Sequence, residues 1–399
     1  MNKNIKLAVA GAVLALSATA NAGIIIPAGD WTLDINGNVN AYANWTKGKD
    51  SNTITGGLAV KKDAAGESNT QGINTGLLPS WLGFTGTTRQ NDVDVSFTIS
   101  MQPNASDNSG AGDALAPLFR QSFLTFGDKS WGSIKLGKDI GIFASDAILN
   151  DMTLLGVGTG AANSGASTTL GGIGSGYIYA AWKGQVAYTT PNFNGFQGTI
   201  GITNPNQGVA DAGVTSSINT LYQDRFGLEG KASYSFAAND VTGKVWVSGA
   251  SYKVKPTSAV EYTAWAGDIG ATVSAGGFGL TGYYYSGDGY GTTTPLYLGA
   301  SASGAKRDSD GGYVQATYTL PTKTKVGVAY GVSKLDLATG ETAASSDIVD
   351  ENERWTVGAY HPLTKHLNLV AEFNNVESKS HRGNKNESHT GSLGAILFF

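Results

Sequence analysis

The chain of 399 residues contains 56 glycines, no cysteine and only 15% charged residues, well below the roughly 25% typical of soluble domains. The absence of cysteine excludes a disulfide scaffold and thiolate chemistry, and the formal net charge of −4 gives no electrostatic support for a nucleic-acid partner. Few charges, many glycines and an aromatic fraction of 10% indicate a barrel with one face toward lipid and a wet interior.

Residues 1–22 have the pattern of a cleaved signal peptide. Two lysines precede an apolar run from Leu7 to Leu16, and Ala20 and Ala22 fit the small-x-small cleavage pattern. The apolar run is too short to span a membrane as a helix, which needs about 20 residues. We therefore expect export through the periplasm and a mature barrel domain over residues 23–399; the alternative is a retained anchor.

The segment from Trp31 to Trp45 predicts a long β-strand. Its odd positions are apolar, aromatic or glycine, and its even positions are polar, apart from the amphipathic Tyr42. A period of two indicates a strand because successive side chains point to opposite faces. An apolar face with a tryptophan at each end is typical of a strand that crosses a bilayer with water on its other side. The alternative is an unusually long strand of a soluble sandwich.

The same alternation recurs along the chain, with short connections alternating with long polar ones. Early examples are Ser80–Thr88, Val93–Gln102, Phe119–Phe126 and Trp131–Lys138. The short connections are Arg89–Asp92, Asp128–Ser130, Pro191–Gly195, Ala237–Asp240, Ala275–Phe278, Pro321–Thr324 and Pro362–Lys365. This pattern predicts an all-β, transmembrane, antiparallel up-and-down β-barrel of about 16 strands, with both termini at the periplasmic rim. A barrel of that size encloses water unless a segment folds into it.

The longest predicted connection, Asp139 to Gly176, is the candidate for such a segment. It begins with apolar residues and a predicted short helix, Asp146 to Leu155, and continues as a Gly/Ala/Ser/Thr tract. Its apolar residues are Ile142, Phe143, Ile148, Leu149, Met152, Leu154 and Leu155. A fully solvated loop would not need them, which favours a segment folded into the lumen. The low complexity of the tract supports the alternative, a disordered extracellular loop.

Three stretches resemble the general Gram-negative outer-membrane porins, especially the β-proteobacterial type. Phe119–Gly127 followed by Trp131–Lys138 resembles their strand–turn–strand signature, and Val186–Phe196 matches the pattern V-x-Y-x-[ST]-P-x-F-x-G-F. The terminal Phe399 resembles the residue that outer-membrane assembly machinery recognises in these proteins. The resemblance implies a constriction loop over residues 139–176, a homotrimer in the cell outer membrane, and passive diffusion of small hydrophilic solutes and ions.

This sequence also departs from the porin pattern. Lys138 stands where the family usually has arginine, Thr125 stands where it has glycine, and the acidic motif of enterobacterial constriction loops is absent. The predicted pore-lining and constriction residues are Arg120, Lys135, Lys138, Asp146, Asp151, Arg225, Glu229 and Lys231. A basic wall facing an acidic loop would set up a transverse field that orients dipolar solutes. The alternative is that these charges pair with each other and only hold the loop.

Further charges are predicted to face the lumen, and their signs nearly balance. They are Asp34, Asp94, Glu261 and Glu372 against Arg225, Lys231, Lys244, Lys325 and Arg354. We therefore expect only weak ion selectivity. The tryptophans Trp246 and Trp265 favour an alternative, a substrate-selective porin for organic acids or sugars, if they form a stacking surface inside the lumen.

The remaining features concern the membrane and possible chemistry. Trp31, Trp45, Trp355, Tyr360 and Phe399 are predicted to form aromatic girdles at the two interfaces with outer-membrane lipid. The acidic segment Asp336–Glu353 is a candidate for divalent ions that bridge lipopolysaccharide, and the basic segment Ser378–His389 for lipid phosphates or for pairing with that acidic segment. No cofactor, metal site or catalytic residue is expected, because the four histidines lack metal spacing and no G-x-S-x-G or paired-acid motif stands out. An outer-membrane enzyme and an adhesin with a blocked lumen are the other classes considered.

Overall fold

A computed structural model describes residues 23–103, 105, 118–160, 168–204, 222, 224–256 and 260–399. The predicted signal peptide lies outside these residues. The strands in chain order are β1 (Ile24–Ala28), β2 (Trp31–Gly48), β3 (Asn69–Asn74), β4 (Trp81–Gln90), β5 (Val93–Gln102), β6 (Leu118–Asp128), β7 (Gly132–Ile140), β8 (Trp182–Thr189), β9 (Phe196–Thr203), β10 (Gly227–Ala238), β11 (Val241–Val254), β12 (Tyr262–Ala275), β13 (Phe278–Asp288), β14 (Asp308–Thr319), β15 (Lys325–Leu335), β16 (Val349–Pro362), β17 (Leu367–Ser380) and β18 (Lys385–Phe398).

The strands form a closed antiparallel barrel, with β2 as the strand that joins the two ends of the chain. One edge of β2 pairs with β18 over Asn38–Gly48 and with the short β1 over Trp31–Ile35. Its other edge pairs with β4 over Thr32–Asn38 and with the short β3 over Tyr42–Lys47. Because β1 and β3 each share a position with a longer strand, the barrel has 16 positions, which confirms the predicted fold and strand number.

Tight turns join the strands at one end of the barrel, here called the short-turn rim. In the β4–β5 turn Asn91 and Asp92 have φ of 49° and 62°, and in the β12–β13 turn Gly276 and Gly277 have φ of 54° and 89°. A two-residue hairpin of type I′ needs positive φ at both central positions, which asparagine, aspartate and glycine tolerate best. These local sequences therefore fix the hairpins. The connections at the opposite end, here called the long-loop rim, include the long segments between β2 and β4, β13 and β14, and β15 and β16.

Alternate residues of each strand face opposite environments. On β2, Val39 and Trp45 are 59% and 48% exposed, whereas Asn38, Asn40 and Asn44 are at most 1% exposed. The outward residues form a continuous apolar surface, and the inward residues are largely polar, as expected for a transmembrane barrel. No helix among the described residues is long and apolar enough to cross a membrane.

The segment after β7 contains two short helices instead of the predicted single one. Helix α1 spans Ser145–Leu149, and a 3-10 helix spans Met152–Leu155. They are separate because Asp151 has an extended backbone (φ −65°, ψ 128°) and its side chain accepts a hydrogen bond from the amide of Thr153. Such a cap starts a new helix rather than continuing the old one.

The largest cluster of buried hydrophobic residues lies inside the barrel, between this segment and the inner wall formed by β11–β14. Its fully buried aromatic residues include Phe143 and Tyr177 from the segment and Tyr252, Tyr283 and Tyr313 from the wall. Rings of Tyr177 and Tyr313 meet edge to face at 5.7 Å. Part of the wide interior is therefore filled and dry, so any open passage runs beside this packing.

Candidate functional site

The centre of the site is Asp146, on α1. Its carboxylate pairs with the ammonium of Lys231 on β10 at 3.2 Å and, still closer, with that of Lys244 on β11. Lys231 also donates to the hydroxyl of Ser145 at 3.0 Å. Both lysines point inward, because they alternate with the exposed Leu228, Val245 and Val247 of the same strands.

A second inward cation stands on β7. Lys135 pairs with Asp139, and its ammonium lies 4.8 Å from the centre of the Phe123 ring. Asp139 also accepts a hydrogen bond from Gln121 at 3.1 Å. Lys138 was predicted with this set, but the register places it on the opposite face of β7 from Lys135 and Asp139. Strand alternation puts Lys138 on the outward side with Ile134 and Leu136.

Two further predicted residues stand apart from this centre. Arg225 lies at the long-loop rim, where it pairs with Asp224 at 3.1 Å and with Glu261 at 3.2 Å. Hydrogen bonds from Arg225 and from Lys255 lower the pKa of Asp224 to about 2. Arg120 lies beside an irregular pairing of β5 and β6, and its backbone amide donates to the side chain of Gln102 at 3.2 Å. Neither arginine contacts Asp146 or Asp151 within the described chain.

Glu229 is a buried anchor for the start of the inner segment. Its carboxylate accepts the backbone amides of Ile142 at 2.7 Å and Phe143 at 3.0 Å. It also accepts from the ammonium of Lys183 and from the hydroxyl of Tyr252, and the side chains of Lys183 and Glu229 are 1% and 0% exposed. Such a charge cannot meet a solute, so its role is to hold the segment.

Asp151 holds the segment internally. Its carboxylate accepts from the amide of Gly172 at 2.9 Å and the hydroxyl of Tyr177 at 2.8 Å, and Arg354 of β16 lies 3.9 Å away. The segment is held again where it passes β17, because Glu372 accepts the amides of Val157 at 3.0 Å and Gly158 at 2.8 Å. Because the carboxylate of Asp151 is bound by groups of the segment itself, it does not present a charge to the passage.

Exposure separates the lysines of the site from their carboxylate partners. The side chains of Lys135, Lys231 and Lys244 are 24%, 22% and 29% exposed. The side chains of Asp139 and Asp146 are 5% and 4% exposed. The lysine side chains are therefore the partly exposed members of these ion pairs, and the carboxylates are the buried ones.

The aromatic residues differ from two expectations. Trp246 is 2% exposed inside the aromatic core, and Trp265 is 48% exposed on the outward face, so neither presents a ring to the passage. Trp31, Trp45 and Trp355 do face outward, but Tyr360 points inward, where its hydroxyl donates to Glu372 at 2.7 Å. Trp265 was misplaced because the phase of the alternation on β12 was misread, whereas Trp246 faces inward as expected but is buried in the aromatic core.

The basic segment near the C-terminus pairs with the acidic loop. Lys379 lies 3.0 Å from Glu351, Arg382 lies 3.4 Å from Asp347, and His381 lies 3.7 Å from Asp350. Among the described residues, no group of histidine, aspartate or glutamate side chains is arranged to hold a metal ion.

Sequence reasoning missed Lys183 and Tyr252, which complete the anchor at Glu229. Lys183 alternates in phase with Gln185 and Ala187, opposite the outward Val186 and Tyr188, so its inward direction was readable. Its pairing with Glu229 was not readable, because those residues are on β8 and β10 and are not cross-strand neighbours.

Comparison with known proteins gives a consistent result. The sequence model described as Gram-negative porin matches residues 7–381. No curated protein matches the chain. Among solved structures, the outer-membrane channel DcaP of Acinetobacter baumannii has 16% identity and a TM-score of 0.69, over 94% of this chain and 99% of that one. The anion-selective porin of Comamonas acidovorans has 15% identity and a TM-score of 0.62, over 92% and 100%. The trimer form of OmpT of Vibrio cholerae has 12% identity and a TM-score of 0.54, over 92% and 99%.

Proposed function

This chain belongs to the Gram-negative porin family and forms an outer-membrane channel for passive diffusion, and from that premise we propose that it passes small hydrophilic solutes and ions with a preference for anions. One observation carries this proposal: Lys135, Lys231 and Lys244 expose their side chains, whereas Asp139 and Asp146 are almost fully buried. An exposed charge acts on a passing ion at shorter range than a buried partner does.

This proposal revises the weak selectivity expected from counting charges. The count gives every lumen charge the same weight, although two of the counted residues, Glu372 and Arg354, are 5% and 1% exposed and are held by neighbouring groups. A narrow passage with low-dielectric walls strengthens the field of the charges that remain exposed. The exposed set is basic, so anions are enriched at the site.

A substrate-selective porin for organic acids remains the second candidate, because carboxylates are anions of suitable charge for the same lysines. The sugar alternative has less support, since Trp246 is buried and Trp265 faces outward. Porins are channels rather than enzymes, and we infer no catalytic activity.

The test is the reversal potential of single channels in a tenfold KCl gradient. We expect the sign that corresponds to chloride preference. A potential of zero, or one of the opposite sign, would contradict the proposal. Block of the single-channel current by a low concentration of an organic acid separates a selective pore from a general one, because only a selective pore binds its substrate. Conductance measured with neutral solutes of rising size gives the width of the pore.

We also propose a homotrimer surrounded by outer-membrane lipid and lipopolysaccharide. The apolar outward surface, where Ile269, Leu280 and Leu393 are 58%, 62% and 56% exposed, supports contact with lipid. The trimer form of OmpT, which has a similar fold, supports the trimer. Mass measurement in detergent should give three times the mass of one mature chain; a monomer mass would argue against the trimer. For export through the periplasm with cleavage after residue 22, N-terminal sequencing of the outer-membrane form should begin at Gly23.

A further inference from the structure

An open recess lies inside the barrel on the short-turn side of the inner segment. It has a volume of about 460 Å³ and extends from Leu149–Leu155 of the segment to the ends of β11–β14. Hydroxyl groups line it, from Thr242, Thr272, Ser274, Thr281, Thr317 and Thr319. This volume lies in the range of pockets that bind small molecules, roughly 300–1,000 Å³.

One lysine borders this recess. Lys325, the first residue of β15, lines the recess and places its ammonium 5.0 Å from the centre of the Tyr360 ring. Within the described chain no carboxylate lies close enough to form an ion pair with Lys325, and Asp151 acts on it only through a longer-range electrostatic interaction. Its charge is thus not neutralised by a direct partner, unlike the charges of Lys135, Lys231 and Lys244.

Some of the hydroxyl groups around the recess already form hydrogen bonds with the protein, and others do not. Thr272 and Thr281 are hydrogen-bonded to each other at 3.0 Å. Among the described residues, the hydroxyls of Thr242, Thr317 and Thr319 form no hydrogen bond with the protein, so they remain available as donors. Gln315 is not available, because its side chain accepts from Met152 at 2.8 Å and donates to Asn150 at 2.6 Å.

The carboxylates at the recess do not compete for its lysine. Asp151 is occupied by the amides of Thr153 and Gly172 and by the hydroxyl of Tyr177. Asp240 is exposed on the β10–β11 turn, at the solvent edge of the recess. The groups that remain for a ligand are one ammonium and several hydroxyl donors.

We propose that this recess binds a small oxyanion, a carboxylate or phosphate, through the Lys325 ammonium and the threonine hydroxyls. Ammonium and hydroxyl groups are the donors that carboxylate and phosphate oxygens accept, and bonds to a charged acceptor are the stronger ones. The inference rests on the proposed anion passage. It adds a second anion-binding site, between the lysines Lys135, Lys231 and Lys244 and the short-turn rim. Successive weak sites let an ion enter and still leave.

The experiment measures how inorganic phosphate and, separately, succinate reduce the chloride current through single channels. The wild type is compared with Lys325→Gln, Lys325→Arg and Thr317→Val. The matched control is Lys129→Gln, which removes the same charge from an exposed turn at the same rim, away from the recess. Chloride conductance of each variant reports whether the barrel has folded.

We expect at least one of the two anions to inhibit the wild type. Lys325→Gln should raise the half-inhibitory concentration at least about fivefold, because it removes a charged donor. Thr317→Val should raise it about two- to threefold, whereas Lys325→Arg and Lys129→Gln should leave it within twofold. The more potent probe identifies the oxyanion class.

Unchanged inhibition in Lys325→Gln, or an equal loss in Lys129→Gln, would overturn the recess site. If Lys325→Gln does not fold, unchanged inhibition in Thr317→Val overturns it instead. The failure of the proposed function looks different: the wild type itself would then show no chloride preference. A wild type that prefers chloride but whose inhibition is independent of Lys325 refutes only the recess.

Discussion

Replacing Lys244 by glutamine should reduce the anion preference of the channel. Of the two lysines that pair with Asp146, Lys244 has the more exposed side chain, and its substitution leaves Lys231 to neutralise that carboxylate. The inner segment keeps its anchors at Glu229 and Glu372, so we expect the pore to stay open. The change therefore acts on the field in the passage rather than on its shape.

The size of the effect follows from Coulomb's law. A unit charge about 5 Å from an ion in water contributes about 0.8 kcal/mol, because the energy is about 332/(ε·r) with ε about 80. With a Debye length of about 10 Å at 0.1 M salt, this falls to about 0.5 kcal/mol. The potential acts with opposite sign on chloride and potassium, so the permeability ratio should fall about fivefold.

The assay is the reversal potential at a mean salt concentration near 0.1 M, repeated near 1 M. At the higher concentration the Debye length is about 3 Å and the effect should shrink below about twofold. Asp146→Asn should shift the ratio in the opposite direction, since it exposes both ammonium groups without their counter-charge. An unchanged ratio in both variants, or shifts of the same sign, would refute the assignment of these lysines to the passage.

Three other substitutions test the surrounding structure. Glu229→Gln leaves Lys183 buried without its carboxylate, so the free energy of unfolding in detergent should fall by about 3 kcal/mol. The open-channel current should also become noisier. A variant with unchanged stability and current noise would contradict the role of Glu229 as the anchor of the segment. Glu341 accepts two hydrogen bonds from Arg307, at 2.5 Å and 2.8 Å, and this contact lowers the pKa of Glu341 below its ordinary 4.5. A lowered pKa stabilises the folded state above pH 4.5, and the gain is lost as the pH falls through the lowered value. Glu341→Gln should therefore reduce the melting temperature at pH 7 but not at strongly acidic pH, and an equal reduction at both would exclude the ion pair. Trp246→Phe should lower stability without changing block by sugars, and a change in that block would place Trp246 in the passage.

The strand pattern was readable from the sequence because it depends on local rules. Alternation sets which side chains face lipid, and pairs such as Asn91–Asp92 and Gly276–Gly277 set the hairpins. The barrel then follows from the number of strands and the shortness of the turns at one rim. The inward direction of the segment after β7 was also indicated by its own sequence, through the apolar residues near Phe143.

The composition of the site was not readable, because it depends on depth and on contacts between distant strands. Lys135 and Lys138 are three positions apart, so a strand puts them on opposite faces even though both are lysines. Arg225 has the right charge but lies at the rim with Asp224. Glu229 faces inward as predicted, yet the segment covers it completely. No alternation rule says which inward residues a folded segment will cover.

The way the inner segment is held bears on whether it moves. Among the strand side chains that accept its backbone amides are Glu229 at Ile142 and Phe143, Gln315 at Met152, and Glu372 at Val157 and Gly158. These acceptors belong to β10, β14 and β17, which lie on widely separated parts of the wall, so the segment spans the interior between fixed points. A swinging gate would have to break several buried hydrogen bonds together and leave carboxylates without partners, and each such loss is costly. We therefore expect a passage of nearly constant width, in which the proposed selectivity depends on the charge of the exposed lysines rather than on motion of the segment.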